Sequence, residues 1–225
     1  MLKSIVTTLI GFCFYFVNCT CQDVDNSHLF PCDRDWSNFK IGNLISLCIP
    51  PSLEMREDGS TIKTRIDQLY YALELKLTSP NIVFQPKGLD DNLSKLNDQY
   101  ARVLVYVIDA GDDPFPRNNE ILSIAKDELN EIETSYKTRF ENFIRGSDAK
   151  LIDWSSFEVG QNDQIAFIKF SMRRIMGNNP IVRVQTYLVY NSSTAFEITV
   201  SYRETEALLW ANDLDKIINT VSLLD

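Results

Sequence analysis

The sequence predicts an α+β fold, an α/β/α sandwich with a mainly antiparallel sheet. Three observations lead to this prediction. Apolar residues alternate in several short segments, which is the period of a half-buried strand. Residues 118–143 and 207–221 have apolar side chains three and four positions apart, as in an amphipathic helix. Short turn sequences join the last strands, so we expect antiparallel neighbours with helices covering the sheet.

The chain begins with the pattern of a secretion signal. Lys3 supplies a positive charge, residues 5–17 are apolar and uncharged, and Cys19 and Cys21 offer small side chains before a cleavage point after Cys21. The apolar run, about 13 residues, is shorter than the roughly 20 that cross a bilayer as a helix. We therefore expect residues 1–21 to be a signal peptide and the mature protein to be secreted or periplasmic. The alternative is an acyl group on Cys19 or Cys21, which would anchor the protein at a membrane surface.

Cysteine usage agrees with an oxidising compartment. Three of the five cysteines lie in the expected signal, which leaves the pair Cys32 and Cys48. Such a pair predicts a disulfide, which would stabilise the fold by about 3 kcal/mol through its effect on the unfolded chain. A redox or metal-binding pair is the alternative, but there is no CxxC spacing and His28 is the only histidine.

The mature chain divides into a tether and one domain. Residues 22–38 are polar and irregular, and we expect the disulfide to hold this tether against the first strand. No linker rich in Pro, Gly or Ser and no repeat divides residues 39–225, which predicts a single domain.

The first half of this domain predicts strands. Residues 39–49 alternate and indicate one strand that Pro50 and Pro51 end. Asp58 and Gly59 predict a hairpin turn, and leucines at every second position predict a strand across residues 69–77. Residues 82–84 form a short apolar piece. Residues 103–108 are apolar throughout, which is typical of a central strand covered on both faces.

The second half predicts a long helix, three strands and a closing helix. From Asn118 the apolar spacing indicates one amphipathic helix of about seven turns that Gly146 ends. Residues 165–173, 181–190 and 196–203 then form a meander. In the last strand we expect Phe196 and its alternate neighbours to point inward and Glu197 and its alternate neighbours to point outward. The closing helix carries its apolar stripe at these positions: Ala207, Trp210, Leu214, Ile217, Ile218 and Val221.

Charge and motifs exclude several classes of function. The net charge is −9, and no basic stretch occurs, so we expect neither nucleic acid nor anionic lipid as a partner held by charge. The sequence contains no GxSxG, Walker or GxGxxG motif. A carboxylate-dependent hydrolase stays open, since two acidic residues from distant positions can form such a site.

Two candidate sites remain. Asp109, Asp112 and Asp113 surround a glycine turn and offer oxygen ligands for calcium, although the EF-hand spacing is absent. The alternative is a solvated loop beside a helix start. Trp36 and Trp154 are candidates for a surface aromatic site that binds carbohydrate or another ligand, whereas Trp210 lies on a helix stripe and is expected in the core.

Two stretches resemble the PsbP-like family of α/β/α sandwich domains. They are residues 39–50, an apolar strand ending in proline, and residues 197–222, a strand that leads into a terminal helix with a tryptophan and an isoleucine-rich end. Residues 82–86 and 100–103 also resemble secreted proteins of Bacteroidetes-type bacteria. The resemblance covers most of residues 39–222 and implies the fold. It implies no activity, because the photosystem-binding and Ran-binding functions belong to particular members.

We therefore favour a secreted or periplasmic, non-catalytic domain that binds a protein partner or assists the assembly of a surface complex, with no cofactor. The alternatives are a carboxylate-dependent hydrolase and a calcium- or carbohydrate-binding module. A close buried carboxylate pair would favour the enzyme, and an exposed apolar patch would favour the binding domain.

Overall fold

The computed structural model describes residues 32–56, 82–89, 99–110 and 114–224, with the backbone alone at Asp109 and Phe143. The expected signal peptide, most of the tether, the Asp58-Gly59 turn and the strand expected at residues 69–77 lie outside this part of the chain. Within it, the elements confirm an α+β fold whose sheets are antiparallel.

In the described ranges, eight strands form an antiparallel sheet at the centre of the fold. The strands are β3 (Leu53–Met55), β4 (Ile82–Pro86), β5 (Ala101–Asp109), β6 (Ala149–Trp154), β7 (Glu158–Gln161), β8 (Ala166–Met176), β9 (Val182–Tyr190) and β10 (Thr194–Arg203). Seven of them follow the order β3-β4-β5-β10-β9-β8-β6, and β7 pairs with β8 at the same edge as β6.

Three short strands form a second sheet in the order β1-β2-β11, with β1 at Ser37–Ile41, β2 at Ile45–Ile49 and β11 at Ser222–Leu223. The prediction of one strand across residues 39–49 is wrong, because the chain turns back at Gly42. Gly42 has a φ of 57°, which favours glycine and permits the tight turn. Phe39 pairs with Leu47, so the two residues share a face as the alternation indicated.

Helices cover both faces of the main sheet. On one face lie α1 (Asn118–Leu122) and α2 (Lys126–Ile144); on the other lies α3 (Ala207–Ile217), followed by a 3-10 turn at Ile218–Thr220. Consecutive β8 residues separate the two cores: Phe167 packs beneath α3 and the small sheet, and Ile168 packs on the side of α1 and α2. This alternation is what a sheet buried on both faces requires.

The prediction of one continuous helix from Asn118 is wrong. The chain leaves the helix after Leu122 and starts again at Lys126. The Glu128 carboxylate accepts a hydrogen bond from the Ala125 backbone N–H at 3.3 Å and so forms a new helix start. The second helix ends at Ile144, and Gly146 follows with a φ of 84°, as the sequence indicated.

The three-strand meander is confirmed in β8, β9 and β10. Phe196 and Ile198 are fully buried on the inward face of β10, as expected. The expectation that the alternate residues point to solvent is wrong, because Thr199 and Ser201 are buried too. The hydroxyls of Thr199 and of Thr186 in the neighbouring strand β9 are hydrogen-bonded to each other at 3.0 Å.

The pair Cys32 and Cys48 forms the expected disulfide. Cys48 lies in β2, one residue before the strand ends, and is buried. Its backbone N–H also donates to the Thr220 hydroxyl at 2.9 Å. The bond therefore joins the start of the described chain to the small sheet against which α3 packs.

Candidate protein-binding surface

The site is built on the turn between β10 and α3. A 3-10 turn at Glu204–Glu206 connects the two elements, and each of its glutamates is held by arginine. Nε and Nη2 of Arg173 donate to the two carboxylate oxygens of Glu204 at 2.6 and 2.8 Å. The same guanidinium donates to Asp153 at 2.9 Å. The bond from Arg173 lowers the pKa of Glu204, so this carboxyl stays ionised over a wide pH range.

Glu206 fixes the first turn of α3. Its Oε2 accepts hydrogen bonds from the Tyr100 backbone N–H at 2.8 Å and from the Trp210 indole at 3.1 Å. Its Oε1 accepts a third bond, from Arg203 at 3.1 Å. Both side chains of the Arg203–Glu206 ion pair are largely buried. A carboxylate with three donors is a rigid anchor, so the orientation of α3 on the sheet is set at its start.

The inward face of α3 fills the core. Trp210, Leu214 and Ile217 are buried at helical spacing against β2 and β10, which confirms the expected closing helix. After the helix, the Asn162 amide donates to the carbonyls of Ile218 and Val221 at 3.0 and 3.1 Å. The helix is thus held at both ends.

The outward face of α3 carries two adjacent exposed leucines, which we call the leucine pair. Leu208 has a relative exposure of 103% and Leu209 of 61%. Among the described residues, the other strongly exposed large apolar side chains lie one to an element, in α1, β6 and β8: Leu122, Ile152 and Met176. Single exposed apolar side chains are ordinary on a protein surface, whereas the leucine pair presents two such side chains at consecutive positions.

Polar residues follow the leucine pair over the next two turns of the helix. Exposed Asn212 and half-buried Asp213 lie one turn on, and exposed Asp215 and Lys216 lie two turns on. Burial raises the pKa of Asp215, while the nearby Arg183 opposes this shift. The surface is therefore an apolar spot next to a mildly acidic helix end.

The opposite face of the sheet holds an aromatic cluster. Phe157 and Phe170 stack with ring centroids 4.4 Å apart, and Trp154 stacks on Phe170 at 4.8 Å. Tyr136 and Phe140 of α2 contact these rings from above. Trp154 is half-buried here, and its buried indole nitrogen has no hydrogen-bond partner among the described residues.

The other two predicted sites are placed as follows. Trp36 packs against the core beneath α3, whereas Trp154 packs on the α2 side, so the sheet lies between the two tryptophans. Asp109 is the last residue of β5 and its backbone pairs with Thr194. Asp112 and Asp113 lie outside the described residues. Elsewhere in the described ranges, no three His, Cys, Asp or Glu side chains form a group that could hold a metal ion.

A partly buried carboxyl lies between the main sheet and α2. Glu197 of β10 accepts a long hydrogen bond of 3.4 Å from the Tyr136 hydroxyl. Burial raises the pKa of Glu197, and the nearby Arg139 and the bond from Tyr136 act in the opposite direction. Among the described groups that shift this pKa there is no second carboxyl. The Tyr136 hydroxyl of α2 and the Glu197 carboxyl of β10 thus form a hydrogen bond between the helix and the sheet.

Sequence reasoning missed the leucine pair. It assigned the closing helix to the core because Trp210, Leu214 and Ile217 form a stripe. The sequence did contain a signal for it. The core-facing stripe of Trp210, Leu214 and Ile217 is too narrow to include both Leu208 and Leu209. An apolar residue opposite the core-facing stripe has no place to be buried within the same chain.

Comparisons with known proteins give no family. No family model matches the chain, and no curated protein matches it.

None of the helices in the described ranges has the length and hydrophobicity of a membrane span.

Three solved structures are similar in shape. The cyanobacterial PsbP (CyanoP) of Synechocystis sp. PCC 6803 is 10% identical, with a TM-score of 0.49 over 96% of this chain and 99% of that one. LpqN of Mycobacterium tuberculosis, described as involved in cell envelope biogenesis, is 9% identical, with a TM-score of 0.45 over 80% and 83%. A Bacteroides thetaiotaomicron VPI-5482 protein is 10% identical, with a TM-score of 0.37 over 80% and 45%. We draw no function from these likenesses.

Proposed function

We propose that this protein is a secreted or periplasmic, non-catalytic domain that binds a protein partner through the leucine pair on α3. The observation that carries the proposal is the full exposure of Leu208 beside the largely exposed Leu209. Each leucine that becomes buried against a partner removes apolar surface from water and contributes about 1.5–3 kcal/mol at most. The two leucines thus supply the apolar centre of the contact, and polar groups around them supply the rest of its free energy.

The same surface indicates the chemistry of the partner. The chain has a net charge of −9, and Asp213 and Asp215 lie about one and two turns after the leucine pair. A partner with an apolar pocket and a basic rim would complement this surface. An anionic membrane would be repelled by the overall charge, so we propose a protein and not a lipid surface.

The rigid support of α3 also favours a binding role. Glu206, Arg203 and Trp210 hold the helix start, so the leucine pair is presented in one orientation before any partner arrives. A preorganised surface loses less conformational entropy on binding. The disulfide between Cys32 and Cys48 supports an oxidising compartment as the place of action.

The test is photocrosslinking from position 208. A photoreactive amino acid replaces Leu208 in the full chain, expressed in the source organism, and adducts are identified by mass spectrometry. We expect one dominant protein adduct whose contact peptide contains basic and apolar residues, and we expect salt to weaken its formation. The matched control places the same amino acid at Leu122, which is exposed on α1. Equal adducts from both positions, a lipid adduct or an adduct with a second copy of this chain would overturn the proposal.

A further inference from the structure

The turn between β9 and β10 carries a motif that the binding function does not use. Asn191, Ser192 and Ser193 form an N-x-S sequence, the acceptor pattern for asparagine-linked glycosylation. Two other such sequences begin at Asn18 and Asn92, which lie outside the described residues. Asn191 is the one whose structural setting is known.

The turn is exposed and well defined. Ser192 and Ser193 are exposed, and Asn191 is half-buried. The Asn191 backbone N–H donates to the Thr194 carbonyl at 2.8 Å. The carbonyls of Ser192 and Ser193 accept hydrogen bonds from the backbone N–H groups of Phe115 and Ala110 at 3.1 and 2.9 Å. The acceptor asparagine therefore lies at the tip of a firmly held hairpin.

All the hydrogen bonds of the Asn191 side chain are made by its oxygen. Oδ1 accepts from the backbone N–H groups of Ser193 and Thr194, both at 2.9 Å, and from the Ser193 hydroxyl at 3.1 Å. Nδ2 makes no hydrogen bond to the described residues and is not among the buried polar atoms. A group attached to Nδ2 would thus displace no described hydrogen bond.

We propose that Asn191 is glycosylated during export, with a polyprenyl-diphosphate-linked oligosaccharide as the donor. Nδ2 attacks the anomeric carbon of the sugar, the bond from that carbon to the diphosphate oxygen breaks, and the lipid diphosphate leaves with the electron pair. The Nδ2 proton passes to a base of the transferase. The disulfide between Cys32 and Cys48 agrees with passage through an export compartment.

The glycan would leave the leucine pair accessible. Asn191 precedes β10, and α3 follows that strand at its far end. Ten residues of extended strand separate the two ends by about 30 Å, at roughly 3.3 Å per residue. The modification and the proposed partner contact can therefore coexist on one molecule.

The test is peptide mapping of the protein purified from its own cells or culture fluid. Trypsin cleavage after Arg183 and Arg203 releases a peptide that contains Asn191 and no other acceptor asparagine. We expect this peptide to carry a sugar on Asn191, identified by fragmentation in the mass spectrometer. In the variant Ser193→Ala we expect the sugar to be absent, and in Ser193→Thr we expect it to be retained, because threonine keeps the acceptor hydroxyl.

Both serine variants keep the two backbone hydrogen bonds to Asn191 Oδ1, while alanine removes the bond from the Ser193 hydroxyl. Equal melting temperatures of the two variants show that loss of the sugar does not come from misfolding. A peptide found only without sugar in the wild-type protein overturns the proposal. So does a sugar that persists in Ser193→Ala, or one found on the Asn92 peptide alone.

Discussion

The Trp210 indole donates a hydrogen bond of 3.1 Å to the Glu206 carboxylate, one turn earlier in the chain. The indole ring fills the core beneath α3, while its polar edge reaches the residue that starts the helix. Glu206 also accepts a hydrogen bond of 2.8 Å from the backbone N–H of Tyr100, which precedes β5, so the start of the helix is joined to the main sheet. This bond and the burial of the Trp210 ring fix which side of α3 faces solvent and keep Leu208 and Leu209 exposed.

The anchor at Glu206 predicts a clear loss of stability when its charge is removed. We expect Glu206→Gln to lower the free energy of unfolding by about 1–3 kcal/mol, because the amide oxygen replaces a carboxylate that serves three donors. Urea denaturation measures the change. The control is Glu131→Gln on the exposed side of α2, where we expect a change within about 0.5 kcal/mol. Equal effects of the two substitutions would show that Glu206 is not an anchor.

The disulfide predicts a second loss. Replacing both Cys32 and Cys48 by serine should lower the free energy of unfolding by about 3 kcal/mol, since the unfolded chain is no longer constrained. Denaturation of the wild-type protein with reductant should reproduce this loss, and the double variant should be insensitive to reductant. A wild-type protein that is equally stable with and without reductant would contradict the expectation.

Buried Glu197 predicts a dependence of stability on pH. Its pKa is raised in the folded state, so the folded protein holds the proton more tightly than the unfolded chain. The contribution of Glu197 to the free energy of unfolding is fully present below its pKa in the unfolded chain, about 4.3. It is lost as pH rises through the higher pKa of the folded state. The nearby groups are Tyr136, Arg139 and Tyr190.

The variant Glu197→Gln isolates this contribution, because glutamine keeps an oxygen that can accept from Tyr136. The wild type loses the contribution of Glu197 as pH rises, and the variant does not. We therefore expect the melting temperature of the variant to rise relative to that of the wild type between about pH 4 and pH 7, measured by thermal melts at each pH. A difference between the two proteins that stays constant over this range would mean that Glu197 has an ordinary pKa.

The close approach of the Phe167 ring to Gly160 predicts that β7 tolerates no side chain at this position without loss of stability. A Cβ added at Gly160 would overlap the Phe167 ring. We expect Gly160→Ala to cost about 1–3 kcal/mol of stability, because the ring must move within a filled core. Thermal denaturation checks this, and adding Phe167→Leu to the alanine variant should recover part of the loss. If Phe167→Leu recovers no stability, the loss comes from the backbone of β7 and not from contact with the Phe167 ring.

The sequence predicted those elements whose signals are local. The meander was predictable because Gly177 to Pro180 and Asn191 to Thr194 are turn sequences between alternating strands. The closing helix was predictable because its core-facing residues keep one period. The disulfide followed from the pair of cysteines left after the expected signal.

The rest depends on contacts that periodicity does not contain. The break before Lys126 arises from the bond between Glu128 and Ala125, while the apolar spacing continues across it. The hairpin at Gly42 keeps the same alternation on both of its strands, so one strand and two could not be distinguished. Exposure of Leu208 depends on how Glu206 and Trp210 orient α3 in three dimensions.

The most direct test compares how much partner is recovered by two proteins. The wild-type chain and the double variant Leu208→Ser, Leu209→Ser are each used to capture the protein crosslinked from position 208. Since both leucines are exposed, we expect equal melting temperatures but at least about tenfold weaker binding by the double variant, corresponding to about 1.4 kcal/mol or more. Leu122→Ser should bind as wild type does. Equal recovery by the double variant and the wild type would contradict the proposal that the leucine pair is the binding surface.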